Sequence, residues 1–241
     1  MMAEDVNLTK FLSTAGVASR RRSADLIKTG HVTLNGVVET NPGTRVTGKD
    51  KVTCDGRIVS APRKRHYIML HKPRGYVCTN NDDHAAKKAV DLIKLKDGAR
   101  IFSAGRLDKN SEGLILFSDD GDFVEQLTHP RHQIRKTYEV STDQPLTRSD
   151  IERMKQGIQN AGDLLKALDV VPLSPTKYRL VLGEGKNREI RRMMEALGRT
   201  TKRLKRIAVG QLRLGGLPMG EWRELTPDEQ KAALAAPSAG A

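Results

Sequence analysis

The segment FSAGRLDKNSEGLILFSDDG sets one carboxylate, Asp108, between two cations, Arg106 and Lys109, with Gly105 and Gly113 expected to free the backbone on either side. Strand-like runs flank it, and loops held by a rigid sheet are where catalytic groups concentrate. A carboxylate with cationic neighbours is expected to stay ionised at neutral pH. It then serves as a nucleophile or electrostatic partner and is a poor general acid. A salt-bridged surface turn presents the same residues, so these residues alone leave both readings open.

A second cluster lies near the N-terminus. Arg20, Arg21 and Arg22 fall in the first turn of a helix predicted over SRRRSADLIKTG, where the helix dipole disfavours each cation by about 0.3–1 kcal/mol. An anion would offset this, and a phosphate fits best, because free backbone N–H groups and guanidinium forks converge there. Lys10, on the preceding helix, extends the same face; the alternative is a solvated charge cluster. Basic residues recur in EGKNREIRRMMEALG, where Asn187 reads as a helix cap, Ile190, Met194 and Leu197 share one face, and Gly198 ends the helix. Lys186, Arg188 and Arg192 there are candidates for phosphates or for solvated charge, and Arg191 stands among them.

These groups need elements to hold them. LTKFLSTAG and SRRRSADLIKTG read as two short helices, the second capped by Ser19, with Gly16 and Gly30 at their ends. VTLNGVVE and VTCDGRIV each flank an Asn-Gly or Asp-Gly pair with β-branched residues, the pattern of a hairpin. SAPRKRH, 60–66, reads as a linker. Beyond it YIMLHKP and LILFSD are expected strands, RSDIERMKQGI and NREIRRMMEALG expected helices, and Thr226, Pro227 and Glu229 a capping-box start followed by a fraying Ala-rich tail. Strands outnumber helices in irregular order. The expectation is an α+β protein: a small N-terminal module over 1–60, a linker over 61–66, and a larger domain with a mixed or antiparallel sheet over 67–241.

Composition narrows the partner. Lys and Arg total 42 against 29 Asp and Glu, a formal net charge of +13, and residues 1–66 hold 12 basic against 6 acidic, more than twice the charge density of the remainder. This favours a polyanion. The longest apolar run, Ala232–Ala236, is far short of the roughly 20 residues of a membrane span. MMAED is acidic where a secretory signal is basic, so a cytoplasmic location is expected. Cys54 and Cys78 form no CxxC pair and are expected to form no disulfide and carry no function; the six histidines have no metal-binding spacing. His129 and His132 in HPRH read as loop histidines with nothing nearby to orient them. Aromatic residues at 4% and the lack of an RNP1-like run speak against an RRM-type module.

TKFLSTAGVASRRRSADLIKTGHVTLNG resembles the S4 RNA-binding module over roughly residues 6–60, through the Ser-Arg-Arg step, Gly30 and the Asn35-Gly36 turn, and departs from it at Asn7, where that family often has Arg. GRLDKNSEGLILFSDDG is similar to the catalytic-aspartate motif of RNA pseudouridine synthases, in the S4-bearing, RsuA/RluB/RluF-like branch acting on rRNA. HKPRGYVCT from His71, KTYEV from Lys136 and EGKNREIRRMMEALG from Glu184 agree with it in order.

The resemblance implies isomerisation of a uridine in ribosomal RNA, most of all large-subunit RNA, without cofactor or metal, by a chain acting as a monomer. Asp108 matches the essential aspartate, which attacks the sugar or drives elimination to a glycal. A uridine in folded RNA must first be unstacked. Arg106 would hold the flipped nucleotide or fill its place, Tyr138 would stack on the base, and Arg191 would pair with Asp108; taken alone, a Tyr in KTYEV reads as a packing residue. Lys72 and Pro73 would brace the strand behind the tyrosine. Small-subunit RNA is the nearest alternative substrate, and a naked RNA or an assembly intermediate fits equally. A non-catalytic S4 assembly factor leaves the GRLD loop unexplained, and an aminoacyl-tRNA synthetase is set aside for want of a nucleotide-binding signature.

Overall fold

Capping opens both N-terminal helices in the computed structural model, which describes residues 5–60, 65–79 and 87–235. After β1 (Val6–Asn7), the Asn7 side chain accepts from Thr9 N–H at 2.9 Å and starts α1 (Leu8–Thr14); Ser19 accepts from Arg22 N–H at 3.3 Å and starts α2 (Arg20–Lys28). Both expected hairpins form in β2 (Val32–Leu34) with β3 (Val37–Val38), and, after β4 (Arg45–Val46), in β5 (Val52–Cys54) with β6 (Arg57–Val59). Asn35-Gly36 and Asp55-Gly56 have positive φ at both turn positions, the type I′ geometry that matches strand twist. The four strands run in the order β3-β2-β5-β6, and β1 pairs with β4. Leu8, Leu12, Ile27, Val32, Val46 and Val52 form the core.

This first unit comprises the chain up to Arg65 with Lys96–Arg100 and Asp119–Gly121; the rest forms a second unit with its own core. Residues 61–64 of the expected linker and the tail from 236 lie outside the described residues.

The second unit is built on a nine-stranded sheet. Its elements are β7 (Tyr67–Lys72), β8 (Phe102–Ala104), β9 (Glu112–Ser118), α3 (Gly121–Thr128), β10 (Lys136–Thr142), α4 (Arg148–Gln156), the hairpin β11 (Ile158–Asn160) and β12 (Asp163–Leu165), then β13 (Asp169–Ser174), β14 (Lys177–Leu182), α5 (Glu189–Ala196), β15 (Thr201–Val209), β16 (Leu212–Arg213), β17 (Trp222–Glu224) and α6 (Pro227–Leu234). The order is β13-β14-β10-β15-β9-β7-β17, with β8 on β9 and β16 on β15. Every pairing is antiparallel except β15 with β9. This is the mixed, largely antiparallel sheet expected.

Burial on both faces explains why β7 and β9 read as continuous apolar runs. Ile68, Leu70, Ile115 and Phe117 enter one core with Tyr138, Leu180, Ile190 and Leu204, while Met69, Leu114 and Leu116 enter another with Phe123, Leu212, Leu225 and Ala233. β9 begins at Glu112, earlier than the LILFSD run suggests. Its first residues, Glu112 and Gly113, pair with β15, and its last, Leu116–Ser118, pair with β8. The loop between β8 and β9 therefore springs from the point where two neighbouring strands part.

Gly113 corrects an expectation. It lies inside β9 rather than at a hinge, at φ +108, and a Cβ there would stand 2.2 Å from the carbonyl oxygen of Arg206. It is glycine because two backbones meet, and only Gly105, at φ +82, frees the loop.

Candidate active site

Four successive carbonyls of the Asp108 loop are tied down. Asp108 O accepts from Ser111 N–H at 3.0 Å and Lys109 O from Gly75 N–H at 2.7 Å. Asn110 O accepts from Arg191 Nη2 at 3.0 Å, and Ser111 O from Lys72 Nζ at 2.7 Å. Leu107 N–H donates to Cys78 Sγ at 3.4 Å. A loop whose backbone is satisfied this fully presents its side chains in one arrangement, the condition for positioning a reacting group. Cys78, expected to have no function, thus anchors the residue next to Asp108. No disulfide joins the two cysteines.

Lys72 is fully buried, which pushes its ammonium down to about 8, against the opposing pull of Cys78 and Asp108. Its two carbonyl partners, Ser111 and Pro73, fix it beneath the loop.

Asp108 opens into a solvent-open cleft. Its walls include Arg106, Asp108, Lys136, Tyr138, Lys186, Arg188, Glu189 and Arg206. Asp108 is one-third exposed, and Arg191 Nε stands 3.9 Å from its Oδ2. That Nε is buried without a hydrogen-bond partner, so the guanidinium faces the carboxylate across a gap while its other nitrogens hold Asn110 O and, at 3.5 Å, Thr201 O. Burial, with the charges of Arg188 and Arg74, pulls the Arg191 guanidinium below its usual value, and Asp108 opposes this.

Tyr138 is buried in β10, with its ring both in the core and on the cleft wall. The packing and functional readings of this tyrosine therefore coincide in one position. A register shift in the β10–β15 ladder between Thr137 and Tyr138 sets Arg206 opposite Tyr138; such bulges re-aim side chains beside active sites.

The structure brings Arg106, Asp108, Tyr138, Lys186, Arg188 and Arg191 into or against the cleft. Arg192 is placed elsewhere. It donates to Asn160 Oδ1 at 2.9 Å and to Asp163 Oδ2 at 2.8 Å, fastening α5 to the β11–β12 hairpin. Lys186 pairs with Glu184 at 2.7 Å and donates to Leu164 O at 2.7 Å; Arg188 is exposed, 3.4 Å from Glu195. Arg20, Arg21 and Arg22 are exposed in the first turn of α2, which holds no acidic residue, and Lys10 is half-buried on α1.

Two local readings change. The residue capping α5 is Arg188, at φ +49 and without a side-chain cap, rather than Asn187; Glu189 instead reaches back, its carboxylate accepting from Lys186 N–H at 3.1 Å. His129 and His132 do have orienting neighbours: His129 Nδ1 accepts from Arg131 N–H at 3.2 Å, and His132 lies 3.4 Å from Glu125.

Sequence reasoning missed Lys136, Glu189 and Arg206. Lys136 is pushed down to about 8 by burial and by the Arg206 charge, against Glu189, whose own carboxyl burial raises. Only the alternation of Lys136 with Tyr138, i and i+2 on one strand face, was available as a signal. Among the described residues no group of His, Cys, Asp and Glu is placed to hold a metal, and no helix is long and apolar enough to cross a membrane.

Similarity to known proteins identifies the family. Residues 66–196 match the family described as RNA pseudouridylate synthase, and residues 6–52 match the S4 domain. The chain is 38% identical over 230 residues to the ribosomal large subunit pseudouridine synthase B of Bacillus subtilis, covering 93% of each chain. It is 37% identical to the dual-specificity RNA pseudouridine synthase RluF of Escherichia coli K12, covering 93% of this chain and 77% of that one. A solved pseudouridylate synthase superposes with a TM-score of 0.69 at 28% identity, over 95% of this chain and 99% of that one. With its tethered aspartate, its cleft and an S4 domain ahead of them, the chain belongs to the RNA pseudouridylate synthase family and is an isomerase of uridine in RNA.

Proposed function

We propose that this chain converts uridine to pseudouridine in ribosomal RNA, with large-subunit RNA as first substrate and small-subunit RNA as the alternative, and that Asp108 is its nucleophile. One observation carries the assignment: Asp108 is the carboxylate held over the cleft on a loop with four tied carbonyls, facing the unpartnered Nε of buried Arg191 at 3.9 Å. The relatives named above act, by name, on large-subunit RNA or on RNA with dual specificity, which supports the substrate class.

The chemistry breaks the C1′–N1 bond, whose electron pair passes to the uracil ring. C5 then bonds to C1′, the C5 hydrogen leaves as a proton, and N1 takes up a proton. Asp108 either attacks the sugar or drives elimination to a glycal. Unstacking the uridine costs a few kcal/mol, which Arg106, exposed at the mouth, and Tyr138, under the ring, offset by holding the flipped nucleotide. Arg191 positions Asp108. Residues 1–60 serve as the S4 module, with Lys10, Arg20, Arg21 and Arg22 on RNA phosphates, and 67–241 as the catalytic domain, where Lys186 and Arg188 edge the cleft.

Two measurements test this. Purified Asp108→Ala protein should form no pseudouridine yet keep RNA affinity within a few-fold, because affinity rests mainly on cationic contacts; activity in that variant overturns the nucleophile. Mapping pseudouridines in rRNA from cells with and without the protein should reveal the missing site, and an unchanged rRNA map overturns the substrate class.

A further inference from the structure

The cleft holds more positive charge than the Asp108–Arg191 pair accounts for. Lys136 and Tyr138 are two apart on β10 and both line the cleft; Arg206 is directly opposite Tyr138 on β15 and lines it too. The three side chains thus form one cluster on a single sheet face. Arg206 is 4% exposed; its Nε donates to Leu114 O at 2.7 Å and its Nη2 is buried without a partner. Lys136 is half-buried, and the Arg206 charge acts on its ammonium. A carboxylate acting on Lys136 is that of Glu189 on α5, whose Oε1 is likewise buried and unpartnered. A buried guanidinium with an unpartnered Nη2 beside a half-buried ammonium is unfavourable, and an electron-rich group held against both relieves it.

The occupant follows from the reaction, so the inference rests on the function proposed above. When the C1′–N1 bond breaks, the uracil ring carries the electron pair as negative charge spread over N1 and the carbonyl oxygens O2 and O4, until C5 joins C1′. We propose that Arg206 and Lys136 hold the uracil carbonyl oxygens and stabilise the ring while it is detached from ribose. Asp108 and Arg191 then act at the sugar, and Arg206 and Lys136 act at the base. This is preorganised electrostatic stabilisation, in which cations are already in place where charge develops.

The test uses a synthetic RNA fragment containing the uridine found by rRNA mapping, made with uridine, 2-thiouridine or 4-thiouridine at that position. Single-turnover rates and RNA dissociation constants are measured for the wild type, Arg206→Gln and Lys136→Met. Sulfur accepts hydrogen bonds weakly, so at least one thio substitution should slow the wild type about tenfold or more. Each variant should be slowed about a hundredfold on uridine with RNA affinity changed less than about threefold. The variant lacking the cation that faces the substituted oxygen should show no further loss on the thio base. A merely structural role predicts losses that multiply in both variants for both thio bases, and that result, or wild-type rates in both variants, overturns the inference. Should Arg206→Gln fail to fold for loss of the Leu114 bond, Lys136→Met carries the same cycle, with Lys136→Arg expected to restore the rate. If Asp108→Ala is active, the underlying reading falls and takes this inference with it; intact Asp108 dependence with multiplicative losses sinks the inference alone.

Discussion

Single residues in this protein carry two duties at once. Arg191 clamps Asn110 O and faces Asp108, so one side chain both builds the loop and sets the field around its carboxylate. Because Asp108 is one-third exposed, removing Arg191 strands a backbone carbonyl more than a charge. Gly113 shows the same economy at the backbone. Its missing Cβ admits β15 to β9, and this approach holds Arg206 and the base of the loop in place. Gly113→Ala should therefore lower unfolding free energy by about 2 kcal/mol or more and reduce turnover, since the atoms a Cβ would meet are Arg206 backbone and cannot swing aside. Urea unfolding and a turnover assay check this, and a variant of wild-type stability and activity would show that the strands can part freely.

At the scale of elements, the start of α6 is held by local electrostatics. Thr226 and Glu229 form a reciprocal capping box, and Arg223 on β17 grips Glu229 with two bonds of 2.6 and 2.7 Å. That guanidinium holds the Glu229 carboxyl at about 2, below its usual 4.5. A carboxyl whose value is depressed on folding contributes stability that is present above about 4.5 and lost as pH falls toward 2. Glu229 is partly exposed, so solvent screening reduces the effect, and Glu229→Gln should cost about 1–2 kcal/mol at pH 7. The difference from wild type should shrink below pH 4.5 and vanish near pH 2; a pH-independent difference in denaturant titrations would assign the loss to capping geometry instead. The starts of α2 and α6 were legible in the sequence, from the Ser19 cap and the Thr226–Glu229 capping box. The start of α5 was not, because Arg188 takes a left-handed conformation that residue type does not announce.

Over the whole molecule, the charge of +13 serves at least two tasks. In the first unit, Arg20, Arg21 and Arg22 stand exposed at a helix start with no acid in the turn. Replacing all three by Gln should weaken RNA binding and reduce the slope of log affinity against log salt by up to about three charges' worth, while leaving catalytic turnover at saturating RNA unchanged. An unchanged salt slope returns the cluster to solvated charge. In the second unit three cations, Lys72, Arg191 and Arg206, are buried at or beneath the cleft, where the function proposed above gives them work on the loop and the reacting groups rather than on bulk affinity.

Local order along the chain was enough to determine a good deal. Hairpins at Asn35-Gly36 and Asp55-Gly56, the helix caps, the α+β order and the Asp108 loop are set by neighbours a few residues apart, and such short-range preferences leave a readable pattern. The family resemblance followed from motifs in sequence order. Tertiary structure alone decided what those motifs do to one another. Only the parallel contact of β15 with β9 explains Gly113, only the folded second unit sets Cys78 and Lys72 under the loop, and only the shifted β10–β15 register aligns Arg206 with Tyr138. Arg192, indistinguishable in sequence from its neighbours, is committed to a hairpin some thirty residues away. Burial, partner and field are properties of residues distant in the chain, and they exist only once the chain has closed around them.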